Sequence, residues 1–276
     1  METAEKCCKT KYPVVLIHGT GFHDRKWLNY WGRIPNTLLN QGCEIYYGHQ
    51  DSWATIECNA KTVKKSIEEA LTDSGAEKVN LIAHSKGGME ARYIISSLAM
   101  SDRIASLTTI ACPHHGSKTM DFICKLPFFL FRLASFFINL WFRILGDQNP
   151  DFHQVCRQFT TYFAEDFNKE NPDSENVYYQ SYAAVMKNSF SDFIMTIPHF
   201  VICRVEGEND GLVTPMSATW TNFKGVLRGS TNRGISHADE VDMRRRRLTN
   251  KVQADGVKDI CDVYIQIVTG LKEQGF

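Results

Sequence analysis

A serine placed between an apolar run and a pair of glycines is the first point in this sequence where residue types and spacing predict chemistry. Val79-Asn80-Leu81-Ile82-Ala83-His84-Ser85-Lys86-Gly87-Gly88 reads as a strand, a sharp turn and the start of a helix, the context that presents a serine hydroxyl for attack. The turn admits only small residues two before and two after the serine, and Ala83 and Gly87 fill those places. The plainer alternative for Ser85 is a helix N-cap ahead of a glycine-rich turn. A serine is a weak nucleophile until a histidine takes its proton, and that imidazole needs a carboxylate to orient it. Asp210, in Glu208-Asn209-Asp210-Gly211-Leu212-Val213, and His237, in Gly234-Ile235-Ser236-His237-Ala238-Asp239-Glu240, follow Ser85 in that order. His237 is the sole histidine beyond Asp210. The three predict acyl transfer through a covalent intermediate, which requires no cofactor.

The oxyanion of such a reaction needs preorganised donors. Tyr12-Pro13-Val14-Val15-Leu16-Ile17-His18-Gly19-Thr20-Gly21 is an apolar strand running into a glycine-bracketed loop upstream of the elbow. Thr20 and Lys86, through their backbone N–H groups, are the candidate donors, each worth about 3 kcal/mol. His84, adjacent to Ser85, is set aside as the base because neighbouring side chains at a sharp turn diverge, and His18, His114, His115 and His199 are assigned structural or pocket-lining places.

These side chains need a frame. Short apolar runs at Val14 to Ile17, Glu44 to Tyr47, Val79 to Ala83 and Leu107 to Ile110 alternate with helical patterns at Asn59 to Asp73 and Lys86 to Met100. The alternation predicts an α/β fold with a mainly parallel central sheet between helices. Further strands are expected at His199 to Val205, ahead of Asp210, and near Gly225 to Leu227, with a last helix over Ala254 to Leu271. Residues 1–276 read as one domain, interrupted by a helical cap over 117–172.

Within that cap, Leu126 to Leu145 is nearly all Phe, Leu, Ile and Trp, with Arg132, Ser135, Asn139 and Arg143 in one narrow helical stripe. The apolar remainder, including Phe128, Phe129, Phe136, Phe137, Leu140, Trp141 and Ile144, predicts a lid over an acyl pocket or a helix lying in a lipid–water interface. Its arginines and Pro127 argue against a membrane span. The run Arg244 to Arg247 is a solvated face or, alternatively, an attraction for anionic lipid.

Thirty-one basic and 31 acidic residues leave no net charge with which to hold a polyanion, so nucleic acid is excluded as the expected partner. Nine scattered cysteines without a Cys-x-x-Cys pair argue against a disulfide framework and a thiolate zinc site. Met1 to Lys11 is polar and charged, so the sequence as it stands reads as cytoplasmic; the alternative is export with a leader outside this sequence.

Taken together, these motifs resemble the bacterial true lipases of lipase family I, triacylglycerol lipases of the α/β-hydrolase superfamily. Tyr12 to Gly19 resembles their oxyanion segment, Ala83 to Gly88 their elbow and Thr109 to Ser117 the stretch before their lid. Asn209 to Val213 resembles their acid loop, and His237 to Val241 their base loop. The resemblance implies an ester lipid as substrate. It also implies a structural calcium, with Asp239 at a ligand position and Asp192 as a second candidate; a further ligand position falls on Met243. A helix-start carboxylate is the alternative for Asp239. An acyltransferase or thioesterase on the same scaffold, or a catalytically silent lipid-binding protein, remains open.

Overall fold

In a computed structural model the protein is described over residues 6–24, 29–251 and 255–276. Six parallel strands form one sheet in the order β2-β1-β3-β4-β5-β6. The chain runs β1 (Val14–Ile17), α1 (Ile34–Asn40), β2 (Ile45–Tyr47), α2 (Ile56–Ser74), β3 (Val79–His84), α3 (Lys86–Ile95) and β4 (Ile104–Ile110). Four helices follow, α4 (Lys118–Ile123), α5 (Phe128–Leu145), α6 (Phe152–Gln158) and α7 (Thr161–Glu170). The chain then returns through β5 (Tyr178–Ala184), α8 (Thr196–Val205), α9 (Pro215–Ala218), β6 (Phe223–Leu227) and α10 (Ile260–Glu273). Ala254, where the sequence places the start of the last helix, lies outside the described residues.

The central strands read as continuous apolar runs because both sheet faces are covered. On one face Leu16 and Ile82 pack with Trp31, Ile34, Tyr264 and Ile267 of the α1/α10 layer. On the other, Val15, Ile17 and Leu81 pack with Val63, Ile67, Ala91 and Ile94 of α2 and α3. The helix α2 is bounded by local chemistry: Thr55 accepts a hydrogen bond from the Cys58 N–H, and Gly75 takes the left-handed conformation at φ 68° that ends it.

One expected strand is a helix, and one real strand escapes the pattern. His199–Val205 belongs to α8 rather than to the sheet. Its Phe-Val-Ile content suits a strand, yet Phe200 and Val201 are solvent-exposed and Pro198 stands in the first helical turn, where its fixed φ is compatible with helix. The fifth strand is instead Tyr178–Ala184, Tyr-Tyr-Gln-Ser-Tyr-Ala-Ala, whose polar members are satisfied internally. The Gln180 amide donates to the Thr108 hydroxyl at 2.9 Å, and the Ser181 hydroxyl donates to the Trp220 carbonyl at 3.0 Å.

Candidate active site

Ser85 sits where β3 turns into α3, with φ 55° and ψ −129°. A non-glycine residue held at positive φ needs surrounding structure to enforce it, and here two glycines permit the packing that does so. A Cβ on Gly87 would stand 2.5 Å from the Ile17 carbonyl oxygen and 2.6 Å from that of His18. One on Gly19 would stand 2.7 Å from the Ser85 Cβ and 2.8 Å from the Tyr30 hydroxyl. The loop carrying Thr20 is therefore pressed against the elbow, and Thr20 and Ser85 line the same cavity. The Lys86 side chain turns away into the interior, where its ammonium donates to the Ala54 carbonyl at 2.8 Å and pairs with Glu90. What Lys86 can offer an oxyanion is thus its main chain.

Asp210 and His237 reach the site on loops held together by backbone. The Met186 N–H donates to the Asn209 carbonyl at 2.9 Å, the Ile235 N–H to Val185 at 2.8 Å and the His237 N–H to Asp210 at 2.8 Å. The end of β5, the acid loop and the base loop are thereby fastened side by side, even though α8 rather than a strand leads into Asp210. Asp210 Oδ2 lies 2.8 Å from His237 Nδ1, while its Oδ1 accepts from the N–H groups of Leu212 at 2.8 Å and Val213 at 2.7 Å. His237 Nε2 is buried without a hydrogen-bond partner among the described residues. The ring stacks obliquely on His84, the residue before Ser85, with centroids 4.4 Å apart.

Beneath this pair lies a second, wholly buried chain that the sequence motifs did not reveal. His84 Nδ1 is 2.7 Å from the Tyr30 hydroxyl and His84 Nε2 is 2.8 Å from Glu240 Oε2. Burial, then the neighbouring His237 and His18, hold His84 well below the ordinary histidine range, so its ring is neutral. Burial also pushes Glu240 well above the ordinary carboxyl range, reinforced by the charge of Asp210. A neutral Glu240 removes a conflict, because two carboxylates beside one imidazole would compete for its Nδ1–H. It stands 3.6 Å from that nitrogen and pairs through Oε2 with His84, a neutral neighbour of Asp210 rather than a charged rival. The signal for Glu240 in sequence was only its spacing, three residues beyond His237.

A profile of palmitoyl protein thioesterases matches residues 13–273. The chain belongs to the palmitoyl protein thioesterase family. Triacylglycerol lipase 2 of Saccharomyces cerevisiae is 29% identical over 277 aligned residues, 92% of this chain and 78% of that protein. A triacylglycerol lipase of Vibrio cholerae is 35% identical over a shorter stretch of 116 residues, 42% of this chain and 36% of that protein. Among solved structures, Staphylococcus hyicus lipase superposes with a TM-score of 0.70 at 19% identity, covering 96% of this chain and 97% of that one. A metagenomic carboxyl esterase gives a TM-score of 0.70 at 15% identity, covering 95% and 76%. The fold is that of the α/β-hydrolases, and this palmitoyl protein thioesterase family member is a carboxylic ester hydrolase.

In this thioesterase-family chain the cavity beside Ser85 has a volume of about 230 Å³ and mostly apolar walls, among them Trp53, Met120, Ile123, Phe152, Phe159 and Val213. The lid residues expected from sequence are not among them. Phe129, Phe136, Phe137, Leu140 and Trp141 are solvent-exposed, and the side chain of Phe128 lies outside the described part. The polar stripe of α5 supplies inward contacts instead: Ser135 is buried, and Asn139 Oδ1 accepts from the Phe152 N–H at 2.9 Å. The helix thus turns apolar surface to solvent, an orientation that periodicity cannot reveal when nearly the whole circumference is apolar. Among the described residues no helix is long and apolar enough to cross a membrane.

Asp239 and Asp192 do come together, but the residues present do not fit calcium. One Arg244 guanidinium nitrogen donates to Asp192 Oδ2 at 2.7 Å and to Asp239 Oδ2 at 3.2 Å. The Ser236 hydroxyl shares the same two oxygens, at 2.8 and 3.1 Å. A hard cation wants six to eight oxygen ligands. Here the Arg244 guanidinium bridges the two carboxylates, and Met243 packs against the apolar core.

Proposed function

We propose that the protein hydrolyses carboxylic esters of lipids, with Ser85 as nucleophile, His237 as general base and Asp210 as its orienting acid. The observation that carries this reading is the His237 ring, fixed at Nδ1 by Asp210 at 2.8 Å while its Nε2 is left unpartnered beside the His84–Ser85 turn. His237 Nε2 takes the Ser85 proton as Oγ attacks the ester carbonyl, and the backbone N–H groups of Thr20 and Lys86 receive the oxyanion. Collapse expels the alcohol, which leaves with the proton from His237. Water then attacks the acyl-enzyme by the same route and releases the fatty acid. The apolar cavity receives the acyl chain, and no cofactor enters the chemistry.

The partial matches to bacterial triacylglycerol lipases support a glyceride as acyl donor. The family profile favours a second reading, an acyl thioester, since the same acyl-enzyme forms from either. A fluorophosphonate probe should label wild type and not Ser85→Ala, and p-nitrophenyl esters from short to long chain should turn over only in wild type. Turnover retained in Ser85→Ala overturns the assignment, and parallel rates on a palmitoyl thioester and a glyceride choose between the substrates.

A further inference from the structure

The excursion between β5 and the acid loop carries the most exposed large apolar side chains described in the molecule, Phe193 at 94% and Phe190 at 88%. Ile194 and Ile197 beside them are exposed as well. Exposing this much contiguous apolar surface is unfavourable in water and marks a contact surface. Two residues between the phenylalanines are tied to a group of opposite character. The Ser191 carbonyl accepts from Arg233 and Arg244, and Asp192 pairs with Arg244 at 2.7 Å.

Arg233 and Arg244, with Arg246 and Arg247, line a polar concavity of about 330 Å³. Against these four guanidinium groups stand Asp239 in the wall and Asp192 behind Arg244. Arg247 approaches Asp259 at 3.5 Å, whereas Arg246 is exposed and makes no ion pair among the described residues. Aromatic tips next to a net positive hollow match the chemistry of one occupant, a membrane surface rich in anionic phospholipid, where rings enter the acyl boundary and guanidinium groups meet phosphodiesters. The placement also has a use: Met195 packs on Gly211, whose added Cβ would meet the Met195 Cβ at 2.7 Å. Leu212, next along, lines the cavity beside Ser85.

We propose that Phe190, Phe193 and Ile194, backed by the arginine hollow, dock the protein on anionic membranes with the mouth of the catalytic cavity facing the lipid. This stands apart from the catalytic reading, because binding is measured without turnover. The test is co-sedimentation of the full chain with vesicles of phosphatidylcholine alone and of phosphatidylcholine with 30% phosphatidylglycerol. The anionic vesicles should bind at least tenfold tighter, and the difference should shrink as salt is raised to about 0.5 M, where screening is short-ranged. Arg246→Glu should weaken anionic binding by about fivefold or more and leave neutral vesicles unaffected. Phe190→Ser/Phe193→Ser should weaken both.

Each variant should keep wild-type turnover of a soluble short-chain ester, the check that the site and fold are intact. A wild type without esterase activity that still binds anionic vesicles defeats the catalytic reading and leaves this one standing. Equal binding to both vesicles, or indifference to Arg246→Glu, overturns the proposal. So does thermal stabilisation by inorganic phosphate without vesicle binding, which assigns the hollow to a soluble anion. A dimer in solution that Phe190→Ser/Phe193→Ser dissociates assigns the aromatic tips to a second copy of the chain and likewise overturns it.

Discussion

Glu240→Gln asks whether the carboxyl beneath the candidate triad is neutral. Burial and the charge of Asp210 hold Glu240 well above its ordinary value of 4.5, so the native state keeps a proton that the unfolded chain releases as pH rises past about 4.5. Stability at this group is therefore present at low pH and declines as pH rises toward the folded value, by up to about 1.4 kcal/mol per pH unit. Glutamine carries a donor at every pH and has no such dependence. As pH rises above 5 the variant should gain on wild type, by at most about 1.4 kcal/mol per pH unit. With m near the upper end of the usual urea range, about 3 kcal/mol/M, the gap between the urea midpoints should widen as pH rises, by up to roughly 0.5 M per pH unit. His84 has the opposite sign: burial keeps it neutral, so its contribution is lost as pH falls below 6.5, but it is common to both proteins and cancels in the difference. Paired urea titrations in half-unit pH steps read the effect directly. Turnover of a soluble ester at pH 7 should stay within a few-fold of wild type, since glutamine keeps the shape and the neutrality of the group beneath the pair. A flat difference curve, or one in which the variant loses ground as pH rises, refutes a neutral Glu240.

Gly87→Ala places a methyl carbon 2.5 and 2.6 Å from two carbonyl oxygens; overpacking of this kind lowers stability by about 1–3 kcal/mol, and the accompanying shift of the elbow should reduce kcat by tenfold or more in steady-state assays. Asp210→Asn should reduce kcat by roughly 10³- to 10⁴-fold at nearly unchanged KM, with circular dichroism unaltered. For Arg244→Gln, which leaves Asp192 and Asp239 facing each other without their bridging cation, a loss of about 3–5 kcal/mol is expected. Wild-type turnover should meanwhile be indifferent to a calcium chelator, and strong inhibition by the chelator contradicts the bridge.

What could be read from sequence divides along the reach of the interactions involved. The strands β1, β3 and β4 announce themselves because burial on both faces demands unbroken apolar runs. The elbow is local, so Ser85 between Ala83 and Gly87 is visible without a structure. Chain order selects Asp210 and His237, and the two lie within a hydrogen bond of each other. Tyr178–Ala184 escapes the strand pattern because its Gln180 and Ser181 find partners on distant segments. Residues 199–205 have the composition of a strand, and composition does not say whether a sheet edge is available. The wall of the cavity draws on the loop before α2, on α4, on α6 and its C-terminal end and on the acid loop, and has no linear signature. The orientation of α5 depends on what Ser135 and Asn139 meet across the gap, which is likewise a property of the assembled chain.

The hydrogen bond between the Met186 N–H and the Asn209 carbonyl closes the neck of everything from 187 to 208. A segment pinched shut at its base can vary in length or composition with little strain passed to the sheet, because closing a somewhat longer loop adds only a fraction of a kcal/mol. Inward contacts, Met195 on Gly211 and Asp192 with Ser236, still tie the excursion to the loops that carry Asp210 and His237, besides its neck and the Asn209 side chain on the His199 carbonyl. Grafting a different excursion onto the same neck, with those contacts kept, is the natural way to give this hydrolase a new address without redesigning its chemistry.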